Sequence, residues 1–286
     1  MSVDTSLFTA ARNGQTDIVR LLIENGADVN KGERDTPLCK AAGNGHTDIV
    51  RLLIGNGADV NKEKRILKDT PLCEAAGNGH TDIVRLLIEN GADVNKRVDD
   101  TPLCKAARNG HTDIVRLLIE NGADVNKGER DSPLSEAAGN GHTDIVRLLI
   151  ENGADVNKGK WGTPLCKAAT HGHTDIVRLL IENGADVNGG EGDTALPGAA
   201  TNGHTDIVRL LIQNGADVNK GWDTPLCEAA KNGHTDIVRL LTEIGADVNE
   251  GKQDAPLFEA ARNVHSDIVR FRKENGADIN KRGWVR

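Results

Sequence analysis

Apolar and polar positions along this chain follow two nested periods. In TDIVRLLIG, which starts at Thr47, the apolar residues Ile49, Val50, Leu53 and Ile54 stand at i, i+1, i+4 and i+5. That is the stripe of an amphipathic helix. Just before it, TPLCKAAG carries a shorter stripe of Leu38, Ala41 and Ala42, whose small alanines let a neighbouring helix approach closely. The pair then recurs as a whole. GADVN or GADIN begins at Gly26, Gly57, Gly91, Gly122, Gly153, Gly184, Gly215, Gly245 and Gly276, with spacings of 31, 34, 31, 31, 31, 31, 30 and 31. A period in the thirties with nothing between copies predicts stacked two-helix units, each touching only its neighbours. The repeats fall at about 4–34, 35–68, 69–99, 100–130, 131–161, 162–192, 193–222, 223–253 and 254–286, forming one domain over 1–286.

Punctuation within a copy agrees with two helices. Thr36 suits an N-cap, and Pro37 sits where a missing N–H costs nothing. Gly45 and Gly57 suit the left-handed residue after a helix end. Thr47 is expected to cap the second helix, with Asp48 in its first turn where the helix dipole favours an anion. Copy seven departs: ALPGAA moves its proline to Pro197, which has no N–H for Thr194 to hold, so its first helix should start less firmly. The end copies also differ. Ser6, Phe8 and Gln15 alter the first, while Phe258, Arg272 and Lys273 alter the last, and both read as caps.

TPLCKAA, NGHTDIV, LLIENG and GADVN, recurring in register across essentially the whole chain, resemble the ankyrin repeat. The resemblance implies an all-α, curved solenoid whose turn tips and first helices line a concave protein-binding side. It also implies that the GH histidine makes interhelical hydrogen bonds. Two departures stand out. Cys39, Cys73, Cys104, Cys166 and Cys227 replace the usual TPLH histidine, and most copies are two residues short of the family period of about 33. The shortfall lies where the family projects its finger, so short turns with little or no β structure are expected.

Composition narrows the partners. There are 35 Lys+Arg against 43 Asp+Glu, a formal charge of −8, and phosphate neutralisation needs the opposite surplus. With 2% aromatics and no tyrosine, a base-stacking platform is not expected either. MSVDTSLFTAARNGQ has neither the basic nor the apolar region of a signal peptide, and arginine interrupts the longest apolar runs, as in IVRLLI. The expected protein is cytoplasmic and monomeric, binding neither nucleic acid nor membrane.

Several motifs imitate chemistry. His-Thr-Asp occurs at His46, His80, His111, His142, His173, His204 and His234, with a cysteine seven residues before five of them. A thiol nucleophile or a zinc site would use such residues. A catalytic group is needed once, however, and one copied into every repeat reads as scaffold. No enzyme, metal or cofactor is therefore expected. The cysteines share one register about 10 Å apart, beyond disulfide reach, and read as reduced core filling. The GxGxxA match from Gly190 to Ala195 lacks the preceding strand of a dinucleotide fold. The IVR arginines (Arg20, Arg51, Arg85, Arg116, Arg147, Arg178, Arg209, Arg239 and Arg270) each follow an aspartate by three residues, which predicts a self-neutralised face. The position after the cysteine slot alternates in sign through Lys40, Glu74, Lys105, Glu136 and Lys167, which predicts charge pairing between repeats.

Where copies differ, a read-out surface is expected. Two residues before the threonine slot stand Arg34, Lys68, Asp99, Arg130, Trp161, Gly192, Trp222 and Gln253. After the AA pair, variation includes Arg108, Thr170 and Lys231, with His171 beside Thr170. Trp161 and Trp222 share a slot two repeats apart, about 20 Å, with the glycine-rich turn of Gly192 between them. Such indoles suit a partner's inserted side chain, or else lie flat on the neighbouring repeat. The one long turn, KEKRILKD, offers Ile66 and Leu67 to an acidic peptide or folds back on the stack. The sequence thus points to a non-catalytic module binding another protein or peptide. The alternative is a structural spacer, an elastic solenoid or an engineered repeat scaffold without a natural ligand.

Overall fold

The computed structural model describes residues 3–32, 35–63, 69–96, 100–128, 131–159, 162–190, 194–220 and 224–247, with side chains from Ser6 onward. Among these residues there are sixteen helices in pairs and no strand. The chain divides into two compact units, one of Met1–Ala137 with Asp144–Ala154, the other of Ala138–Thr143 with Asp155–Arg286.

In the first unit the pairs are α1 (Val3–Arg12) and α2 (Thr16–Glu24), α3 (Pro37–Gly43) and α4 (Thr47–Gly55), α5 (Pro71–Gly77) and α6 (Thr81–Glu89), and α7 (Pro102–Arg108) and α8 (Thr112–Glu120). First helices stack on first helices, α1 on α3 on α5 on α7, and second helices stack likewise. The second unit repeats this with α11 (Pro164–Thr170), α12 (Thr174–Glu182), α13 (Ala195–Thr201), α14 (Thr205–Gln213), α15 (Pro225–Lys231) and α16 (Thr235–Glu243). Between them in sequence, α9 (Pro133–Gly139) and α10 (Thr143–Glu151) share residues with both units.

The core is most of the predicted stripe, with Ile54 only half-buried. Leu38, Ala41, Ala42, Ile49, Val50 and Leu53 are buried, as are their equivalents in later pairs. The alanines explain why the first helices pack more closely than the second: with only a methyl at the contact, the two backbones approach. The seven-residue first helices are too short to persist alone and depend on this packing.

The helix starts are as predicted on one helix and not on the other. Thr36 accepts the Cys39 N–H at 3.0 Å, with Pro37 at the first position, and Thr70, Thr101, Thr163 and Thr224 repeat the cap. Thr194 makes no such bond, in keeping with Pro197 standing where the N–H would be. The second helix corrects the expectation. Thr47 is itself the first helical residue, and the capping position belongs to His46, which makes no side-chain cap. The His46 ring is engaged elsewhere.

Candidate partner-binding surface

Six of the GH histidines reach back to the preceding repeat. His80 Nε2 lies 3.1 Å from Gly43 O, and since a carbonyl can only accept, the ring nitrogen donates. His46 does the same to Arg12 O, His111 to Gly77 O, His173 to Gly139 O, His204 to Thr170 O and His234 to Thr201 O. Each bond satisfies a carbonyl at the end of a first helix, one of the orphan acceptors that helix geometry leaves. The histidine that could have served catalysis is a rivet between repeats.

Asparagine supplies a second rivet that the sequence pattern alone did not reveal. Asn61 Nδ2 donates to Gly91 O at 2.9 Å while its Oδ1 accepts the Asp93 N–H at 2.8 Å. Asn30, Asn95, Asn157 and Asn188 bridge to the next copy in the same two-sided way. The Asn of every GADVN was visible in the sequence. Only the geometry shows that its amide donates and accepts across a repeat boundary.

The cysteines are buried free thiols. Sγ of Cys104 lies 3.5 Å from Lys127 O, in the turn that closes its own copy, and Sγ of Cys73 lies 3.6 Å from Asp100 O, at the start of the next copy. Burial raises the Cys73 thiol above its ordinary value and pushes Cys104 up to about 12, outweighing the Thr101 hydrogen bond that favours ionisation. A nucleophilic cysteine needs the opposite shift.

Of the expected partner-facing residues, Arg34, Ile66, Leu67, Lys68, Asp99, Arg130, Trp161, Gly192, Trp222 and Gln253 lie outside the described residues. Arg108, Thr170 and Lys231 are the last residues of first helices α7, α11 and α15, and His171 is the C-cap of α11. Arg108 is clamped by two carboxylates, Nε to Glu136 at 2.7 Å and Nη1 to Asp100 at 2.8 Å. The Glu136 hydrogen bond, with Asp100 behind it, raises the already high guanidinium pKa. Thr170 Oγ1 donates to Cys166 O at 2.8 Å. His171 is exposed, donates through Nδ1 to Lys167 O at 2.8 Å, and stacks on His173 with centroids 6.4 Å apart. Lys231 is exposed and lies 3.7 Å from Glu228.

The slot after AA is matched to the next copy. Gly43 leaves room for Glu74, Gly77 for Lys105 and Gly139 for Lys167, since a Cβ at each would stand 3.1–3.4 Å from the long side chain. Where Arg108 replaces glycine, the facing residue is its ion partner Glu136. Where Thr170 stands, the facing residue shrinks to Gly198, and a Cβ there would meet Thr170 Oγ1 at 2.3 Å. Thr201 Oγ1 lies 3.1 Å from Glu228 Oε2.

The charge ladder is partly redirected. Lys105 does approach Glu74 at 3.8 Å, but it is closer to Asp69 at 2.9 Å, and Glu136 is engaged by Arg108. Lys40 pairs with Asp35 of its own turn at 3.1 Å. On the second helices, the expected pairing does not form. Among the described residues no ion pair joins Arg20, Arg51, Arg85, Arg116, Arg147, Arg178 or Arg209 to the aspartate before it, and these arginines stand exposed. Those aspartates sit in the first turn, where unpaired backbone amides compete for the carboxylate.

The family pattern described as ankyrin repeats (3 copies) matches residues 7–98, 41–129, 72–160, 134–221 and 220–283. This chain belongs to the ankyrin repeat family. The crystal structure of the human ASB11 ankyrin repeat domain is similar to it, with a TM-score of 0.66 and 29% identity over 74% of this chain and 98% of that one. No curated protein matches the chain. Ankyrin repeats generally serve as protein–protein interaction modules, and the ankyrin fold is typically non-catalytic. No helix among the described residues is long and apolar enough to cross a membrane.

Proposed function

We propose that this ankyrin repeat protein is a non-catalytic recognition module that holds another protein or peptide along its turn tips and first-helix side. One contrast carries the reading. The residues copied unchanged from repeat to repeat are used within the chain: histidine on a carbonyl, asparagine across the boundary, threonine on a helix start. Arg108 and Thr170 also have internal work. The turn slot is where chemistry changes most freely, from Arg34 through Asp99 to Trp161, Gly192 and Trp222. Variation without a scaffold rule is what selection for a partner leaves.

In this reading Trp161 and Trp222 are the anchors, because a few aromatic side chains carry most of the free energy of an interface. The partner is neither nucleic acid nor membrane, given the charge of −8, and the setting is the cytoplasm, where five buried thiols stay reduced. Affinity capture from a cytosolic lysate, wild type against Trp161→Ala/Trp222→Ala, tests it. A partner held only by the wild type is the expected result. If both chains retain the same partner, the anchors lie elsewhere, and if neither retains one, a spacer or engineered scaffold is the better account.

A further inference from the structure

The lysine that follows GADVN has a fixed task in this stack. Lys62 Nζ donates to Asn30 O of the preceding copy at 2.6 Å, and Lys96, Lys127 and Lys220 do the same to Asn61 O, Asn95 O and Asn188 O. Each is a charge-assisted bond across a repeat boundary. Among the described residues at this position only Gly189 is not lysine. The carbonyl left over is Asn157 O, which no donor among the described residues reaches, although the Asn157 side chain bonds Gly184 O and the Asp186 N–H as its equivalents do. Asn157 is exposed, whereas Asn30, Asn61, Asn95 and Asn188, each under a lysine, are half-buried. A Cβ at Gly189 would stand 3.3 Å from Asp186 Cγ, so a carboxyl group borders the same notch.

We propose, resting on the recognition reading above, that the partner supplies the missing ammonium: a lysine of the bound protein or peptide donates to Asn157 O beside Gly189. The chain's own lysines act as the stand-in for this ligand, since Lys62, Lys96, Lys127 and Lys220 each place an ammonium on the equivalent carbonyl. In copy six the side chain that would compete for the place is reduced to a hydrogen. A single carbonyl suits the compact charge of lysine better than the planar fork of arginine. Asn157 and Gly189 stand four and three residues before the turn-slot residues Trp161 and Gly192, so in sequence the notch adjoins the turns where copies differ. The formal charge of −8 also draws a basic segment rather than an acidic one.

A displayed dodecapeptide library selected on the full chain supplies the probes, and fluorescence anisotropy gives their affinities. Binders are expected to share a lysine whose replacement by norleucine weakens binding about tenfold or more, as loss of a hydrogen bond from a charged group does. Gly189→Lys, which gives copy six the residue of its neighbours, should weaken the lysine peptide by the same factor and leave the norleucine peptide unchanged. Gly189→Ala adds a Cβ without a charge and should bind as the wild type does, with circular dichroism checking the helicity of both variants. Selection that yields no lysine-dependent binder overturns the proposal. So do lysine peptides that bind Gly189→Lys as tightly as wild type, or that lose as much with Gly189→Ala. Trp161→Ala/Trp222→Ala separates this from the recognition reading. Peptides that need the indoles but ignore Gly189→Lys sink the lysine alone, and peptides indifferent to both sink the two together.

Discussion

The imidazole of His80 lies flat enough on Gly45 of the preceding copy that a Cβ at Gly45 would stand 2.8 Å from its Cε1. Gly45 also holds φ at +78°, so two separate constraints fall on one residue. The same ring-on-glycine contact recurs at Gly79 with His111 and at Gly172 with His204. It explains why the family block reads as glycine followed by histidine: one copy supplies the hollow and the next fills it.

Two neighbouring glycines separate those constraints. Gly57 has φ +84° but no heavy atom within 4 Å of the place its Cβ would take, so Gly57→Ala costs conformational strain alone, about 1–2 kcal/mol. Gly45→Ala should cost a further 1–3 kcal/mol or so from overpacking against His80. Gly55, at the end of α4 with open space around it, should gain about 0.5–1 kcal/mol on change to alanine. Urea unfolding of the three variants gives the order directly, and equal losses at Gly45 and Gly57 would remove the ring contact from the account.

Arg108 and Glu136 join successive repeats through a charge-assisted bond. The guanidinium is about a third exposed, so solvent screens the pair. A double-mutant cycle with Arg108→Met and Glu136→Gln should give a coupling of about 0.5–1 kcal/mol that shrinks in high salt. A coupling near zero at low salt would mean the contact is geometric only.

Thr194 is a cap without its donor. Pro197→Cys restores the backbone N–H that Cys39, Cys73, Cys104, Cys166 and Cys227 supply in their copies, and should stabilise the protein by about 1 kcal/mol. Slower amide exchange at the start of α13 would locate the gain, and no change in unfolding midpoint would argue that the cap contributes little in this stack.

The buried thiols make stability sensitive to alkaline pH. Folding raises the Cys104 pKa from 9.0 to about 12, so between those values the unfolded chain has released the thiol proton and the folded one has not. Stability is therefore unaffected by this group below about pH 9 and falls as pH rises toward 12. Cys104→Ser, which does not ionise there, should show a shallower alkaline decline in unfolding free energy than the wild type.

The fold was legible because its signals repeat. One stripe repeated along the chain, with Thr-Pro before it in five copies and glycine after nearly every helix, leaves few alternatives, and even the Thr194 defect could be read from the place of Pro197. What escaped depended on distances across repeats. Thr47 looks like a cap until His46 is seen to occupy that position while its ring bonds Arg12 O. The alternating ladder looks like rung-to-rung pairing until the turn carboxylates Asp69 and Asp100 enter as competitors for Lys105 and Arg108. Much of the variability after AA is matched to the residue it faces, glycine to the long Glu74, Lys105 and Lys167 and Arg108 to Glu136, but only packing shows which residues face each other. The proposed binding residues rest on variation alone, since a surface made for a partner leaves no trace in the chain's internal contacts.

The most direct test of the central claim compares the affinity of a captured partner for wild type, Trp161→Ala/Trp222→Ala and Arg85→Ala/Arg116→Ala. The last pair changes exposed arginines on the constant second helices. The account predicts that the tryptophan pair loses at least a hundredfold, roughly 3 kcal/mol by the usual relation, while the arginine pair stays within a few-fold of wild type. Loss at the arginines with full affinity retained at the tryptophans would put recognition on the constant face and contradict the account.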